Sequence, residues 1–473
     1  METNFQIIKK QILLSMACLI CMAPLMAQTE TTAGSITPEM LAAFRAETAM
    51  QPSVKAIRNA VTSGNVRQLV QNNENRGRVD DFFTYKVKVE GISDQKSSGR
   101  CWLFASLNAM RGLVIEKHKM KSFFFSQNYS FFFDQLEKSN LFLEEIIHTA
   151  NLPLSDRKVE WLLKNPAADG GVWSSFVNIV EKYGVVPASV MPDTKQAENT
   201  GSINNVLSTL LRSDALKLRS MVAARLKPAD VQKTKTAMLS EVYRVLSVSL
   251  GEPPLEFSWR FEDKDGKVSE LMTYTPQSFY KEFIDVDLHD YVQLMDDPSR
   301  EYNKVFEIEY DRNTYEGVNW KYLNIPVDQM KASAVASIRA GEAMYYSCDV
   351  GKQLDRENGI LDLGNYDTES LFGISLPMTK KERIQTFESS SSHGMSLCGV
   401  DLDEKGNPVK WLVENSWGKT GHDGFLIMTD RWFDAYMFRL IIHKKYVDPQ
   451  ILKLFDQPAI LLPAWDPMFA PVE

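Results

Sequence analysis

The stretch from Gln95 to Ala105, Q-K-S-S-G-R-C-W-L-F-A, constrains this 473-residue chain more than any other. Gly99 and the serines before it read as a turn, and apolar residues then recur at Leu103, Phe104, Leu107, Met110 and Val114. That spacing predicts a helix over Cys101 to Lys119 with one face buried. Cys101 then stands at or beside the first helical residue. The partial positive charge of a helix N-terminus favours thiolate over thiol, and thiolate is the reactive form. Cys101 is therefore a candidate nucleophile. The plainer reading is an inert, buried cysteine, since a free cysteine packs as a small hydrophobe.

A second constellation weighs against the plainer reading. His393 opens the run H-G-M-S-L-C-G-V, a polar stretch from Asp401 to Asn407 follows, and V-K-W-L-V-E-N-S-W-G comes next. Two apolar runs flanking a D-E-K-G-N turn predict an antiparallel hairpin. His393 and Asn415 are equidistant from Glu404, so a symmetric hairpin sets them opposite each other. A bulge would slip that register. An asparagine beside a catalytic histidine can accept its ring N–H and hold the tautomer whose other nitrogen faces the thiol. Trp417 could cover that bond from water. A metal site is disfavoured: no C-x-x-C or H-x-x-x-H spacing occurs, and the odd offset puts His393 and Cys398 on opposite faces of a strand. No phosphate loop or strand-linked G-x-G-x-x-G stands out, so neither cofactor nor metal is expected.

These residues carry a resemblance. The Cys-Trp pair, the upstream Gln95, the later His-Gly and the Asn-Ser-Trp-Gly run look like the papain-type cysteine peptidases. Collinear stretches narrow it to the bleomycin hydrolase and aminopeptidase C branch: F-S-Q-N-Y-S-F-F-F-D from Phe125, G-G-V-W from Gly170, V-E-K-Y-G-V-V-P from Val180, T-P-Q-S-F-Y from Thr275, C-D-V-G-K from Cys348 and L-P-A-W-D-P-M from Leu462. The resemblance implies Cys101 as nucleophile, His393 as general base and acid, Asn415 as the orienting residue and Gln95 as an oxyanion donor. It also implies a two-lobed α+β papain-like fold, a helical lobe bearing Cys101 and a β-rich lobe bearing His393 and Asn415, with the site in the cleft between. A large, mainly helical insertion over 195–300 fits the same branch. Family members assemble as a hexameric barrel, so a homo-oligomer acting on peptides is implied.

In that family the C-terminal tail, here 456–473, lies along the cleft and restricts the enzyme to N-terminal trimming. The chain ends at Glu473, after Phe469 and Pro471, which depart from the small residues usual there. A free carboxylate in a cleft could pair with a substrate's ammonium group. Two further readings stay open, an endopeptidase with an open cleft and a binding scaffold without catalysis. The scaffold has no need of the full Cys, His, Asn and Gln set.

Compartment and partners follow from simpler features. Lys9 and Lys10 precede an apolar run from Ile12 to about Ala23, which reads as a signal peptide over 1–27 and predicts export to a periplasm or beyond. The run is too short for a comfortable membrane span. Familiar relatives act in the cytoplasm, so export is a departure. With the leader gone, Cys101, Cys348 and Cys398 remain, an odd count that argues against a disulfide framework. Cys348 and Cys398 are expected in the core, although in an oxidising compartment they could pair. A net charge of −8 argues against a general nucleic-acid surface. Residues 28–80 read as a lead-in with helices over Pro38 to Met50 and Val54 to Gln71, and 81–473 as the peptidase domain. Further helices are expected around Phe123 to Leu143, after Gly171 and twice between Asn204 and Leu250, then a hairpin over Phe257 to Met272 and a strand-rich half from Tyr302.

Overall fold

The computed structural model describes residues 34–51, 53–75 and 77–468. The expected leader and Glu473 lie outside the described residues. The described residues divide into two compact units, one comprising those up to Gln71 with 368–373 and the other comprising the remainder. The first unit contributes α1 (Pro38–Ala49), capped by the Thr37 side chain, and α2 (Val54–Ser63). Gly64 ends α2, so the single helix expected from Val54 to Gln71 is broken and resumes only over Val66–Leu69.

The second unit holds the helices α3 (Cys101–His118), α4 (Gln127–His148), α5 (Trp173–Tyr183), α6 (Gly201–Ala223) and α7 (Pro228–Leu250). Each start has a local cause. Ser126 caps α4 by accepting from the Tyr129 N–H, and Pro228 opens α7, where its missing N–H costs nothing. Helix α3 departs from expectation in one respect. Every residue from Trp102 to Arg111 is buried, not one face alone, because α3 packs against strands as well as against α4 and α5.

The strands in chain order are β1 (Tyr85–Lys86), β2 (Phe257–Trp259), β3 (Met272–Tyr274), β4 (Tyr291–Met295), β5 (Lys304–Ile308), β6 (Lys321–Asn324) and β7 (Met344–Cys348). They continue with β8 (Leu354–Asp355), β9 (Ile360–Leu361), β10 (His393–Leu402), β11 (Pro408–Glu414), β12 (Phe425–Thr429), β13 (Met437–His443) and β14 (Ile460–Leu462). β2 and β3 form the expected separate hairpin. The rest make a 12-stranded sheet in the order β14-β5-β6-β4-β13-β7-β10-β11-β12-β9-β8, with β1 on β10. β4 joins this sheet through β13 and β6, so the sheet already begins inside the 195–300 stretch. Two hydrophobic cores result. One gathers the helices around Trp102, Phe131 and Leu207, and the other gathers the sheet around Tyr346, Leu397 and Trp411.

The β10–β11 hairpin forms, but not in the symmetric register. Ser396 faces Glu414 instead of Leu412, and irregularities fall between Leu397 and Gly399 and between Asp401 and Leu402. Bulges insert residues that the alternation of apolar and polar residues does not announce. The offset from symmetry is two at Leu402, which faces Pro408, three from Asp401 to Gly399, and two again at Leu397 and Ser396. On its other edge β10 pairs with β7, His393 opposite Cys348. Gly394 lets this strand approach α3: a Cβ there would lie 3.0 Å from the Tyr345 hydroxyl and 3.4 Å from the Trp102 Cα.

Candidate active site

The α3 start and the β10 start meet at a cleft of about 460 Å³ whose walls include Gln95, Cys101, Trp102, His393 and Gly394. The turn before α3 is held from several sides. Asp169 accepts from the Gly99 N–H at 2.7 Å, and its main-chain carbonyl accepts from the Trp102 indole at 2.8 Å. Arg100, fully buried, makes a two-pronged pair with Asp193 at 3.0 Å on both prongs. A bidentate pair of this kind fixes orientation as well as charge. Cys101 is thereby the first helical residue, partly exposed to the cleft.

His393 and Asn415 come together despite the shifted register, reaching diagonally across the pair. The His393 Nε2 lies 2.8 Å from the Asn415 Oδ1. That oxygen also accepts from the Ser416 main-chain N–H at 2.8 Å. A backbone N–H can only donate, so the atom facing it is the carboxamide oxygen and the His393 Nε2 must carry its proton. Nδ1 is left for the sulfur, and the charges of Cys101 and His393 act on each other. The Trp417 ring lies against the imidazole, centroids 4.8 Å apart.

The charges favour an ion pair. Burial pushes the Cys101 thiol up, but the His393 charge and hydrogen bond and the backbone N–H groups of Gly394 and Trp102 outweigh it and hold the thiol below its ordinary value. Burial likewise pushes His393 down, while the Cys101 charge, its hydrogen bond and that of Asn415 hold the imidazole above its ordinary value. Cys101 thiolate beside His393 imidazolium is the arrangement that a nucleophilic sulfur requires.

Gln95 is buried in the same wall. Its Oε1 accepts from the Ser416 hydroxyl at 2.6 Å, and its Nε2 donates to the Ser98 carbonyl at 2.6 Å. A carboxamide has two N–H donors, so the second is available to an oxygen in the cleft. The Gln95 main-chain N–H donates to the Ser416 carbonyl at 2.8 Å. Ser416 thus touches both Gln95 and Asn415, a link absent from sequence reasoning.

Other residues of the cleft were also missed. Asp311 lines it, with its carboxyl pushed up to about 6 by burial against the opposing charges of Arg439 and Lys138. Met468, the last described residue, lines it too. Buried Arg111 of α3 pairs with buried Glu414 at 2.6 Å, tying the cysteine helix to the strand that ends beside Asn415. Cys348 and Cys398 are free and buried, as expected for core residues. Among the described residues no His, Cys, Asp and Glu cluster is arranged to hold a metal ion, and no helix is long and apolar enough to cross a membrane.

A thiol and an imidazole brought together from a helix start and a central strand, with an asparagine behind the imidazole, define a papain-like cysteine peptidase. Residues 35–469 match the Peptidase C1-like family, and the chain belongs to it. Aminopeptidase C from Listeria innocua is 37% identical over 437 residues, covering 92% of this chain and 98% of that protein. Bleomycin hydrolase from Homo sapiens is 37% identical over 454 residues, covering 93% of this chain and 100% of that protein. The crystal structure of PepW from Lactobacillus rhamnosis HN001 matches with a TM-score of 0.90 at 37% identity, covering 93% of this chain and 100% of that one.

Proposed function

We propose that this chain is a thiol aminopeptidase that removes N-terminal residues from peptides. The observation that carries the reading is one cleft that brings Cys101 and His393 together, with Asn415 hydrogen-bonded to the imidazole. Cys101 thiolate attacks the peptide carbonyl, and the resulting oxyanion takes hydrogen bonds from the Gln95 side chain and the Cys101 N–H. His393 protonates the leaving amine, then draws a proton from the water that hydrolyses the thioester. Asn415 keeps the imidazole in the tautomer that serves both steps.

The names of the relatives support exopeptidase action, and so does the course of the tail. Met468 forms part of the cleft wall, and the five residues after it end in the Glu473 carboxylate. A terminal carboxylate carried into the cleft would pair with the substrate's free ammonium and close the site to residues further upstream. The test is a pair of peptides identical except for N-acetylation, given to the wild type and to a variant lacking residues 469–473. Wild type cleaves only the free peptide, and the truncated enzyme gains the acetylated one. Cleavage of the acetylated peptide by wild type would replace this reading with an endopeptidase.

Export to a periplasm or beyond is proposed from the Lys-then-apolar leader, and a homo-oligomer, a hexamer, from the family resemblance. Protein recovered outside the cytoplasm should begin near Gln28. An N-terminus retaining Met1 in the cytoplasmic fraction alone would rule export out. Sedimentation of the purified enzyme as a monomer would do the same for the oligomer.

A further inference from the structure

Most charged groups in the wall of the cleft are already engaged. Lys138 pairs with Asp134 at 2.7 Å and donates to the Ala168 carbonyl at 2.8 Å. Glu309 pairs with Lys158 at 2.6 Å, and Glu145 lies 3.8 Å from the Arg312 guanidinium. Arg439 donates to the Met468 carbonyl at 3.2 Å. Asp311 differs. It lines the same cleft, its Oδ2 is buried, and no donor among the described residues reaches that oxygen.

The main chain fixes Asp311 without using its carboxylate. Just past β5, its N–H donates to the Ile308 carbonyl at 3.3 Å and its carbonyl accepts from the Trp320 N–H at 2.7 Å. Tyr310 before it has a φ of 61°, in the left-handed region that a bulky side chain rarely occupies. Such a conformation persists only where the surroundings impose it, and the Tyr310 ring is stacked on Trp161 with centroids 6.2 Å apart. Burial pushes the Asp311 carboxyl up to about 6 against the opposing charges of Arg439 and Lys138, so it is ionised at neutral pH. Tyr345, whose hydroxyl borders Gly394, feels the charges of both Cys101 and Asp311, so one phenol lies within electrostatic range of the nucleophile and of this carboxylate. A half-buried charge without a donor is unfavourable until one arrives.

We propose that Asp311 is a specificity-determining residue that receives a cationic group of the peptide, either the free α-ammonium or a basic first side chain. An ammonium or guanidinium gives that carboxylate a charge-assisted hydrogen bond, which no neutral group matches. Asp311 acts here within the peptidase reading above and independently of the residues after Met468.

The test uses three competitors of one fluorogenic reporter peptide on full-length wild type, Asp311→Asn, Asp311→Ala and Asp311→Glu. The competitors share a sequence but begin differently: norleucine with a free amine, lysine with a free amine, and norleucine without its α-amino group. Asp311→Asn should shrink the preference for lysine over norleucine, or for the amine over its absence, about 10- to 100-fold, the range for losing a hydrogen bond to a charged group. The ratio that shrinks identifies the cation. Asp311→Glu keeps the charge and should retain most of that preference, and Asp311→Ala carries the test if the amide variant does not fold. Unchanged ratios in the folded variants overturn the assignment and leave the peptidase reading intact. Equal weakening of all three competitors also overturns it, because a merely structural carboxylate would act that way. Failure of wild type to hydrolyse the reporter removes the peptidase reading and the role of Asp311 with it.

Discussion

Cys101 and Cys348 both adjoin His393, yet their surroundings make them opposites. Cys101 opens α3 at the cleft, while Cys348 ends β7 directly opposite His393 in the sheet. Burial raises both thiols. At Cys348 only the Tyr346 hydroxyl works against it, with Asp349 adding to the rise, and the thiol stays far above the ordinary range. At Cys101 the imidazole charge and two backbone N–H groups reverse the outcome. Nearness to a histidine therefore does not make a nucleophile. An imidazole charge that reaches the sulfur does, helped by backbone donors from the α3 start at Trp102 and from β10 at Gly394.

The sharpest way to break this contrast is to remove each sulfur in turn. Cys101→Ala should lower kcat/KM for a free peptide by about 10⁴-fold or more, the scale seen when a nucleophile is lost from a catalytic set. Cys348→Ala should keep turnover and lose about 1–2 kcal/mol of stability from the vacated core volume, read by denaturant unfolding. Loss of turnover in a folded Cys348→Ala enzyme would show that the two cysteines act together.

A smaller effect sharpens the same point through pH. Alkylation of Cys101 by iodoacetamide should stay fast well below the pH at which an ordinary thiol ionises. It should fall about tenfold per pH unit only beneath the lowered thiol value, where the thiolate takes up its proton. Peptide hydrolysis should follow the same acid limb and fall again on the alkaline side, once His393 loses the proton that the leaving amine needs. An alkylation profile centred on the ordinary thiol value would mean that the ion pair does not form. Cys348 should remain unlabelled throughout in the folded protein.

The local half of this site was legible in the sequence. The turn at Gly99 and the apolar spacing beyond it placed Cys101 at a helix start, and the two apolar runs around Asp403 to Asn407 brought His393 towards Asn415. The register was misjudged because the turn centres on Lys405, with Leu402 facing Pro408, and because irregularities at Asp401 to Leu402 and Leu397 to Gly399 leave no trace in alternation. What could not be read was set by strand order. β7 inserts between β10 and β13, so Cys348 meets His393 and Arg439 reaches the cleft across long loops that no local pattern encodes. The buried Arg111–Glu414 pair is hidden for the same reason. Each residue alone reads as an ordinary charge, and only the packing of α3 on the hairpin makes them partners.

Ser416 has a mechanical consequence. Its backbone N–H holds Asn415, its hydroxyl holds the Gln95 side chain and its carbonyl holds the Gln95 backbone. The group that steadies the imidazole and the group proposed to receive the oxyanion therefore share one mounting. A change at Ser416 would disturb the two together, while the sulfur is held separately, at the start of α3.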